Sequence, residues 1–531
     1  DSSRDDQFIR VIARPPLDGM TAEQVVRGFL EASASFQDDY AVARSYLTPD
    51  AAVRWVPDAG VRVYDGASTR LTPVRAGASV FTAPLVGRIG VDGEATVADP
   101  GAVLRVPFGL AKVEGQWRLS SVPDGLLLSR GDVERGYRTF DVYYLDPTFS
   151  TLVPDPLTVR VSGPGLATTL VRALLRGATP WLAPAVRTAF PAGTSLAIDA
   201  VPVEGGVAQV ALDTTVLSAD PRTREALSAQ LVWTLSALPD VTGVRITAGG
   251  QPLAVPGQGA VQSRDAWPQY GPDALPAGTT AYLLREGRVV RLVGEQTEPV
   301  PGAAGEAKAG LAGIAVSLDS AEVAGVSATG RTLSVARLAD GAALALRAAG
   351  TGLRSPSYSR DGTLWWVQDD AGVMQRRPTG VPVQVRVQGI DAGLIEAVRL
   401  ARDGTRAALL VREGSRRTLL LARVDATEGA PRLAAPRRVE SRLSDVTDVA
   451  WTSAGQLVAL GTDGAGAAQA FLVDIGHGLP ARPIGAPSAP RGLAAAPGRL
   501  VLLGSATGAI WSYQSGRWIA GPEGSDPAYP G

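Results

Sequence analysis

SPSYSRDGTLWWVQ, residues 355–368, reads as strand, tight turn and strand. A short apolar run ends near Ser359, Asp361-Gly362 follows, and Leu364 to Val367 resume a β pattern. The glycine supplies the positive φ that a two-residue hairpin turn needs. The phrase recurs with variations: IAVSLDSAEVAGV around Asp319-Ser320, VRLARDGTRAALLV around Asp403-Gly404, VAWTSAGQLVAL around Ala454-Gly455 and GLAAAPGRLVLLG around Pro497-Gly498. The first turn residues are separated by 42, 42, 51 and 43 positions. A period of about 40–50 residues with four strands per unit is the pattern of propeller blades. The slot holding Asp361-Gly362 accepts Ala-Gly and Pro-Gly elsewhere, so its task is to turn the chain, and function is expected in the loops that differ between repeats.

Five units are complete. AYLLREGRVVRLV, residues 281–293, resembles the latter half of a blade, as in AIWSYQSGRWIAG at 509–521. The propeller is therefore expected over 280–531 with five or six blades. An open ring would leave a bare blade face and an unpaired strand edge.

Upstream, two α+β domains are expected, at 17–130 and 137–254, after a polar tether at 1–16. In the first, Thr21 and Gln24 fit a capping box, with Val25, Val26, Phe29 and Leu30 on one helical face. A second helix is expected from about Asp39 to Leu47, then a short turn capped by Thr48 with Pro49 at its first position. VRVYDG, SVFTAPLVGRIGV, AVLRVPFGLAKV and QWRLSSV read as strands of a curved antiparallel sheet. The second domain has a ββαββαβ order. FDVYYLD and LTVRVSG come first, and a helix then opens at Pro164, carries Leu166, Leu170, Val171, Leu174 and Leu175 on one face, and ends at Gly177. SLAIDAVPV and VAQVAL follow, then a helix capped by Asp220-Pro221 with the stripe Leu227, Leu231, Leu235 and Leu238, and finally VTGVRIT. A Pro/Gly-rich linker spans 255–279, its Trp267 and Tyr270 packed on a neighbour.

Composition removes many function classes. The 531 residues exceed one ordinary core, 45% are hydrophobic, and the formal charge of −1 gives no electrostatic reason to expect nucleic acid. No run of 18 apolar residues exists, so no spanning helix is expected. With no cysteine and one histidine, His477, thiolate metal sites, disulfides and cysteine nucleophiles are excluded. His477 reads as a surface-loop residue lacking partners for a metal shell. Asp369-Asp370, Asp38-Asp39 and Asp5-Asp6 are adjacent carboxylates, which point apart on a strand or helix and serve turns and caps. GTDGAGAAQ at 461–469 lacks the context of a phosphate loop, and Ser162 and Ser505 lack a histidine base. No enzyme, metal or cofactor is expected.

Arginine is the better binding signal. Arg416, Arg417, Arg432, Arg437, Arg438 and Arg442 cluster around the long fourth interval, whose extra residues are expected in loops on one face. They form either a basic rim meeting an acidic partner or anionic headgroups, or an ordinary solvated loop. Trp365-Trp366, Trp451, Trp511 and Trp518 read mainly as inter-blade core, with Trp365 and Trp366 on opposite faces and one of that pair a candidate for exposure.

The module order, together with GMTAEQVVRGFLEASASFQDDYAVARSYLTPDAA at 19–52 and VPDAGVRVYDG at 56–66, resembles the LpqB family of actinobacterial envelope lipoproteins along essentially the whole chain. LVPDPLTVRV, LVRALLRG and LPDVTGVRI make residues 137–254 similar to a GerMN domain. The resemblance implies an extracytoplasmic protein at the outer face of the plasma membrane, anchored by lipid on an N-terminal cysteine absent from this chain. Asp1-Ser2-Ser3-Arg4-Asp5-Asp6 would then open a processed, soluble form. It also implies a partner, the extracytoplasmic domain of a sensor histidine kinase of the Mtr two-component type. The alternative is an envelope receptor that binds a cell-wall fragment or other small ligand through the propeller or the GerMN domain.

Overall fold

The computed structural model describes residues 13–36, 38–161, 165–306, 309–339, 343–425, 431–440, 442–464, 466–476, 478 and 480–531. Ser162, Pro164, Asp5-Asp6 and His477 lie outside them. Two compact units result: residues 1–140, 156–164 and 476–478 in one, and 141–155, 165–475 and 479–531 in the other.

In the first unit the helix Ala22–Ala32 starts on the Thr21–Gln24 capping box and buries Val25, Val26, Phe29 and Leu30. The next helix is only Ala41–Ser45, shorter than expected, because Tyr40 sits in the left-handed region at φ 59° after Asp38 at 49° and Asp39 at 52°. A left-handed run cannot continue into a right-handed helix, so the helix starts only at residue 41. Thr48 caps Pro49–Arg54 as its sequence suggests. A seven-stranded sheet follows, in the order Gln116–Ser121, Val103–Val113, Ala78–Ile89, Val61–Tyr64 and Leu126–Ser129, with Arg70–Arg75 and Ala95–Val97 also on Ala78–Ile89. Phe29 packs edge-on against Trp55 at 5.2 Å and Phe108 at 6.3 Å, which locks helix to sheet.

In the second unit the GerMN-like module is built around the helix Pro221–Leu235, capped by Asp220. Its leucines are buried, but so are Ser228, Gln230 and Thr234, so the helix is enclosed on all sides instead of on one stripe. The polar groups are satisfied: Gln230 donates to Tyr143 O at 2.9 Å and accepts from Ala189 N–H at 2.8 Å, and Thr234 Oγ1 accepts from Tyr143 N–H at 3.0 Å. Leu166–Arg176 is the other long helix, closed by Gly177 at φ 105°. SLAIDAVPV does not form the strand its alternation suggests. Only Val203–Glu204 is a strand there, with an isolated Leu196–Leu212 bridge before it. Backbone bonds remain from Asp213 N–H to Ser195 O at 3.0 Å and from Ala197 N–H to Ala211 O at 2.8 Å, but the Asp213 carboxylate takes the Ser195 N–H at 2.8 Å and Pro202 has no N–H to give, so the ladder is interrupted. The segment 255–279 is tied down: Val261–Gln262 pairs with Gly243–Ala248, and buried Trp267 and Tyr270 lie against the long helix, where Trp233 donates to Trp267 O at 3.3 Å.

The repeats form six four-stranded blades among the described residues, the third and fourth joined into one eight-stranded sheet where Val383–Val387 pairs in parallel with Arg432–Arg438. Blade two runs from Leu311–Val316 to Ala345–Ala349, three from Arg354–Tyr358 to Val383–Val387, four from Ile395–Leu400 to Arg432–Arg438, five from Asp448–Ser453 to Arg482–Gly485, and six from Pro490–Ala494 to Arg517–Glu523. Blade one combines Tyr282–Arg285, Arg288–Val293 and Gln296–Pro299 with Ser525–Ala528 from the far end of the chain. Tyr282 pairs with Ala528 and Leu284 with Ser525, and the Gly531 N–H reaches Val316 O of blade two at 2.9 Å. The incomplete unit is thus completed by the last strand, and the ring has no open edge there.

The founding hairpin differs in detail from its sequence reading. Tyr358 pairs with Leu364, and Ser359 N–H bonds to Thr363 O at 2.9 Å, so the loop holds three residues, Arg360, Asp361 and Gly362. Gly362, at φ 78°, provides the left-handed residue that returns a three-residue loop to its strand. Asp361 accepts from the Thr363 N–H at 3.0 Å, as Asp403 does from Thr405 at 2.8 Å. Trp365 and Trp366 are both buried, at 3% and 0% exposure. Trp365 joins the cluster shared with blade four and Trp366 that shared with blade two, so neither ring is free for a partner.

Candidate functional site

The six arginines singled out by sequence lie on or beside blade four, and the extra length of that repeat goes largely into strands. Arg406–Glu413 and Arg416–Asp425 pair without interruption from Arg406–Arg423 to Glu413–Arg416, where most propeller strands have four to six residues. The long ladder carries several of the arginines into reach of internal acceptors. Arg417 grips Asp445 with Nε at 2.9 Å and a second guanidinium nitrogen at 3.0 Å, and that hydrogen-bonded pair holds the Asp445 carboxyl below its usual value. Arg432 pairs with Asp425 at 3.1 Å, and Arg438 with Glu413. Arg437 stacks on the Trp181 ring at 3.9 Å. Arg416 and Arg442 are exposed, Arg416 opposite Glu413 and Arg442 beside Glu440, whose carboxylate accepts the Arg442 N–H at 2.7 Å.

Trp181 belongs to the GerMN-like module, and Arg437 is the one of the six that packs on it. Its loop follows the Leu166–Arg176 helix and is pinned from behind by buried Asp155, which accepts from the Thr179 N–H at 2.6 Å and hydroxyl at 2.9 Å. The Trp181 indole donates to Ala435 O at 2.8 Å. Ala435 sits at φ 44°, beside a register shift in the Arg416–Asp425/Arg432–Arg438 ladder, and so turns its carbonyl out of the sheet. Arg423 donates to the Trp181 carbonyl while its Nε and a second nitrogen hold Asp425. The module is therefore docked on blade four by an aromatic ring, a cation over its face and a hydrogen bond at its edge.

A second attachment lies where the inner-strand turns meet. Asp273, from the segment between module and propeller, accepts the Ala454 N–H of the blade-five turn at 2.7 Å. Arg402, 7% exposed, reaches Trp451 O at 3.4 Å, Ala495 O at 3.4 Å and Pro530 O at 3.2 Å, joining blade four to five, six and the closing strand. Burial pushes Arg402 down to about 10, opposed by the Asp273 charge, and burial pushes the Asp273 carboxyl up. Next to them Asp403 and Arg406 form an ion pair with both side chains essentially inaccessible, and Arg406 also donates to Ala454 O at 2.8 Å. Breaking such a pair by removing one partner is costly, so the cluster fixes geometry.

No group of three His, Asp or Glu side chains able to hold a metal exists among the described residues. Ser505 bonds within its own turn, to Thr507 and Ala509 O. Asp369 pairs with Arg354, and Asp370 accepts from Thr351. Sequence reasoning passed over Trp181 and Asp273. The only signal was a tryptophan between prolines in TPWLAP, a rigid loop with a large ring at its tip.

Comparison with known proteins follows the same division of the chain. The Lipoprotein LpqB N-terminal domain matches residues 15–134, the domain described as Sporulation and spore germination 141–254, and the Lipoprotein LpqB beta-propeller domain 287–530. Lipoprotein LpqB of Thermobifida fusca is 34% identical over 99% of this chain and 93% of its own length. The chain belongs to the LpqB lipoprotein family. Lipoprotein LpqB of Streptomyces coelicolor is 31% identical over 99% of the chain and 92% of its own length. A solved TolB from Acinetobacter baumannii is similar at 18% identity and TM-score 0.39, over 48% of this chain and 66% of that one. Relatives in the LpqB family carry the name lipoprotein, and no helix among the described residues here is long and apolar enough to cross a membrane.

Proposed function

We propose that this LpqB-family chain is a non-catalytic, extracytoplasmic accessory protein that modulates a sensor kinase of the Mtr two-component type by protein–protein contact, held at the outer face of the plasma membrane by a lipid anchor. The observation that carries the reading is the docking of the GerMN-like module on the propeller through Trp181, with the connecting segment tied to the blade-five turn by Asp273. A regulator shifts a partner's conformational equilibrium only by its difference in affinity for the two states, and a surface of fixed geometry reads such a difference best. The arginines left to meet a partner are Arg416 and Arg442, with Arg432 next since its side chain stays 61% exposed despite its ion pair. Several acyl chains would hold such a protein firmly, whereas one holds it only marginally.

Calorimetric titration of this chain with the isolated extracytoplasmic domain of the kinase tests the reading. Binding is expected, weakened in Arg416→Glu/Arg442→Glu. No heat and no co-purification at high micromolar concentration would refute direct contact.

A further inference from the structure

The first unit contains a cleft of about 610 Å³ that none of the contacts above uses. That volume lies within the range of small-ligand sites, about 300–1,000 Å³. Its walls are the helix Ala22–Ala32, the start of the helix Arg130–Gly136, and the sheet at Tyr64 and Phe81. The floor is aromatic: Tyr64 meets Phe81 edge-on at 5.1 Å, and the Tyr46 ring lies against the helix backbone at Gly28, where a Cβ would come within 2.6 Å of it. Burial raises the Tyr64 phenol to about 12, with Asp132 and Glu31 adding to the rise, so it is a neutral hydroxyl with carboxylates nearby.

The charges in the walls are largely neutralised in advance. Arg27 pairs with Glu23 at 2.9 Å and Arg135 with Asp132 at 2.6 Å, which leaves Glu31 and Arg14, one of each sign. A phosphate or sulfate would find guanidinium groups already engaged. An acyl chain would face a wall half made of charged and hydroxyl groups. The rings at its base are themselves buried, Tyr46 at 2%, Tyr64 at 8% and Phe81 at 3% exposure, so an uncharged ligand rich in hydroxyls meets both conditions through its hydroxyls, which bond to carboxylate, guanidinium and phenol. We infer that this cleft binds a saccharide of one or two rings, with Glu31 and Tyr64 as its hydrogen-bonding contacts. The site is independent of the kinase reading and stands or falls without it.

Saturation-transfer NMR on the full chain tests this with three probes: the disaccharide of N-acetylglucosamine, lactose and inorganic phosphate, the last followed by competition. Transfer to at least one sugar is expected, untouched by millimolar phosphate. Binding should weaken about tenfold or more in Glu31→Gln and in Tyr64→Phe, since each change removes one directed hydrogen bond and keeps the side-chain shape. Unchanged melting of both variants separates lost contacts from lost fold. Co-sedimentation with insoluble cell-wall glycan distinguishes a polymer end from a free fragment as the source. No transfer to either sugar at millimolar concentration overturns the inference, and so does displacement by phosphate or undiminished transfer in the double variant.

Discussion

Replacing Trp181 by alanine should undock the GerMN-like module from blade four while both keep their folds. The ring supplies three separable contacts: its indole bond to Ala435 O at 2.8 Å, the Arg437 guanidinium at 3.9 Å over its face, and packing against the cluster that includes Leu419 and Leu421. A neutral hydrogen bond contributes about 1 kcal/mol and a cation–π contact about 0.5–2 kcal/mol. Truncating a fully buried tryptophan costs about 3–5 kcal/mol, and Trp181 is only partly buried, so the lower end applies. These contributions overlap, and about 3 kcal/mol is the working figure, which is a shift of roughly 100-fold in the docking equilibrium. The loop itself remains held by Asp155, so the effect should be confined to the contact. Hydrogen exchange is the direct assay. Amides of 432–438 and 178–187 should exchange about 100-fold faster in Trp181→Ala, while Trp181→Phe, which keeps the ring face and loses the N–H, should show about fivefold. Unaltered exchange at 432–438 in Trp181→Ala would refute docking through this ring.

Two further outcomes follow from contacts described above. Gly28→Ala should destabilise the first unit by about 1–3 kcal/mol despite alanine's better helix propensity, because the new methyl meets the Tyr46 ring; denaturant unfolding measures it, and a more stable variant would contradict the packing. Asp425 is held below the ordinary carboxylate value, chiefly by its hydrogen bond from Arg423 and against the effect of burial. A depressed folded pKa gives stability that is complete above the unfolded value of about 3.9 and disappears as pH falls through the lower folded value. Asp425→Asn should therefore lower the melting temperature at neutral pH and flatten its decline below about pH 4, whereas parallel pH profiles would mean the pair contributes nothing.

The propeller was legible because its signals are local. Each blade announces itself by a turn residue and a flanking apolar run, and Asp361 and Asp403 act in the structure within two residues of their positions in sequence. Blade one was only half legible, since Tyr282 pairs with Ala528 across nearly half the chain and no local pattern records that. The Ser195–Pro202 segment misled because alternation alone does not reveal that Asp213 has claimed a ladder N–H. The arginine cluster was visible, but the acceptors of Arg417, Arg432 and Arg438 and the ring under Arg437 depend on how the strands register and on a loop more than 200 residues away. The cleft had no sequence signature at all, because its lining is gathered from six separated stretches between Ala13 and Arg135.

The blade that closes the ring also sets the order of events in folding. Blades two to six each arise from one continuous stretch and can form as that stretch becomes available, but Tyr282–Arg285 must wait for Ser525–Ala528. Contacts of such long sequence separation are slow to form, because the loop must be ordered before the pairing rewards it. Until then two strand edges and an apolar interface, lined by Leu283, Leu502 and Ile510, stand exposed. A longer-lived open ring would leave that interface and those edges available for aggregation for longer.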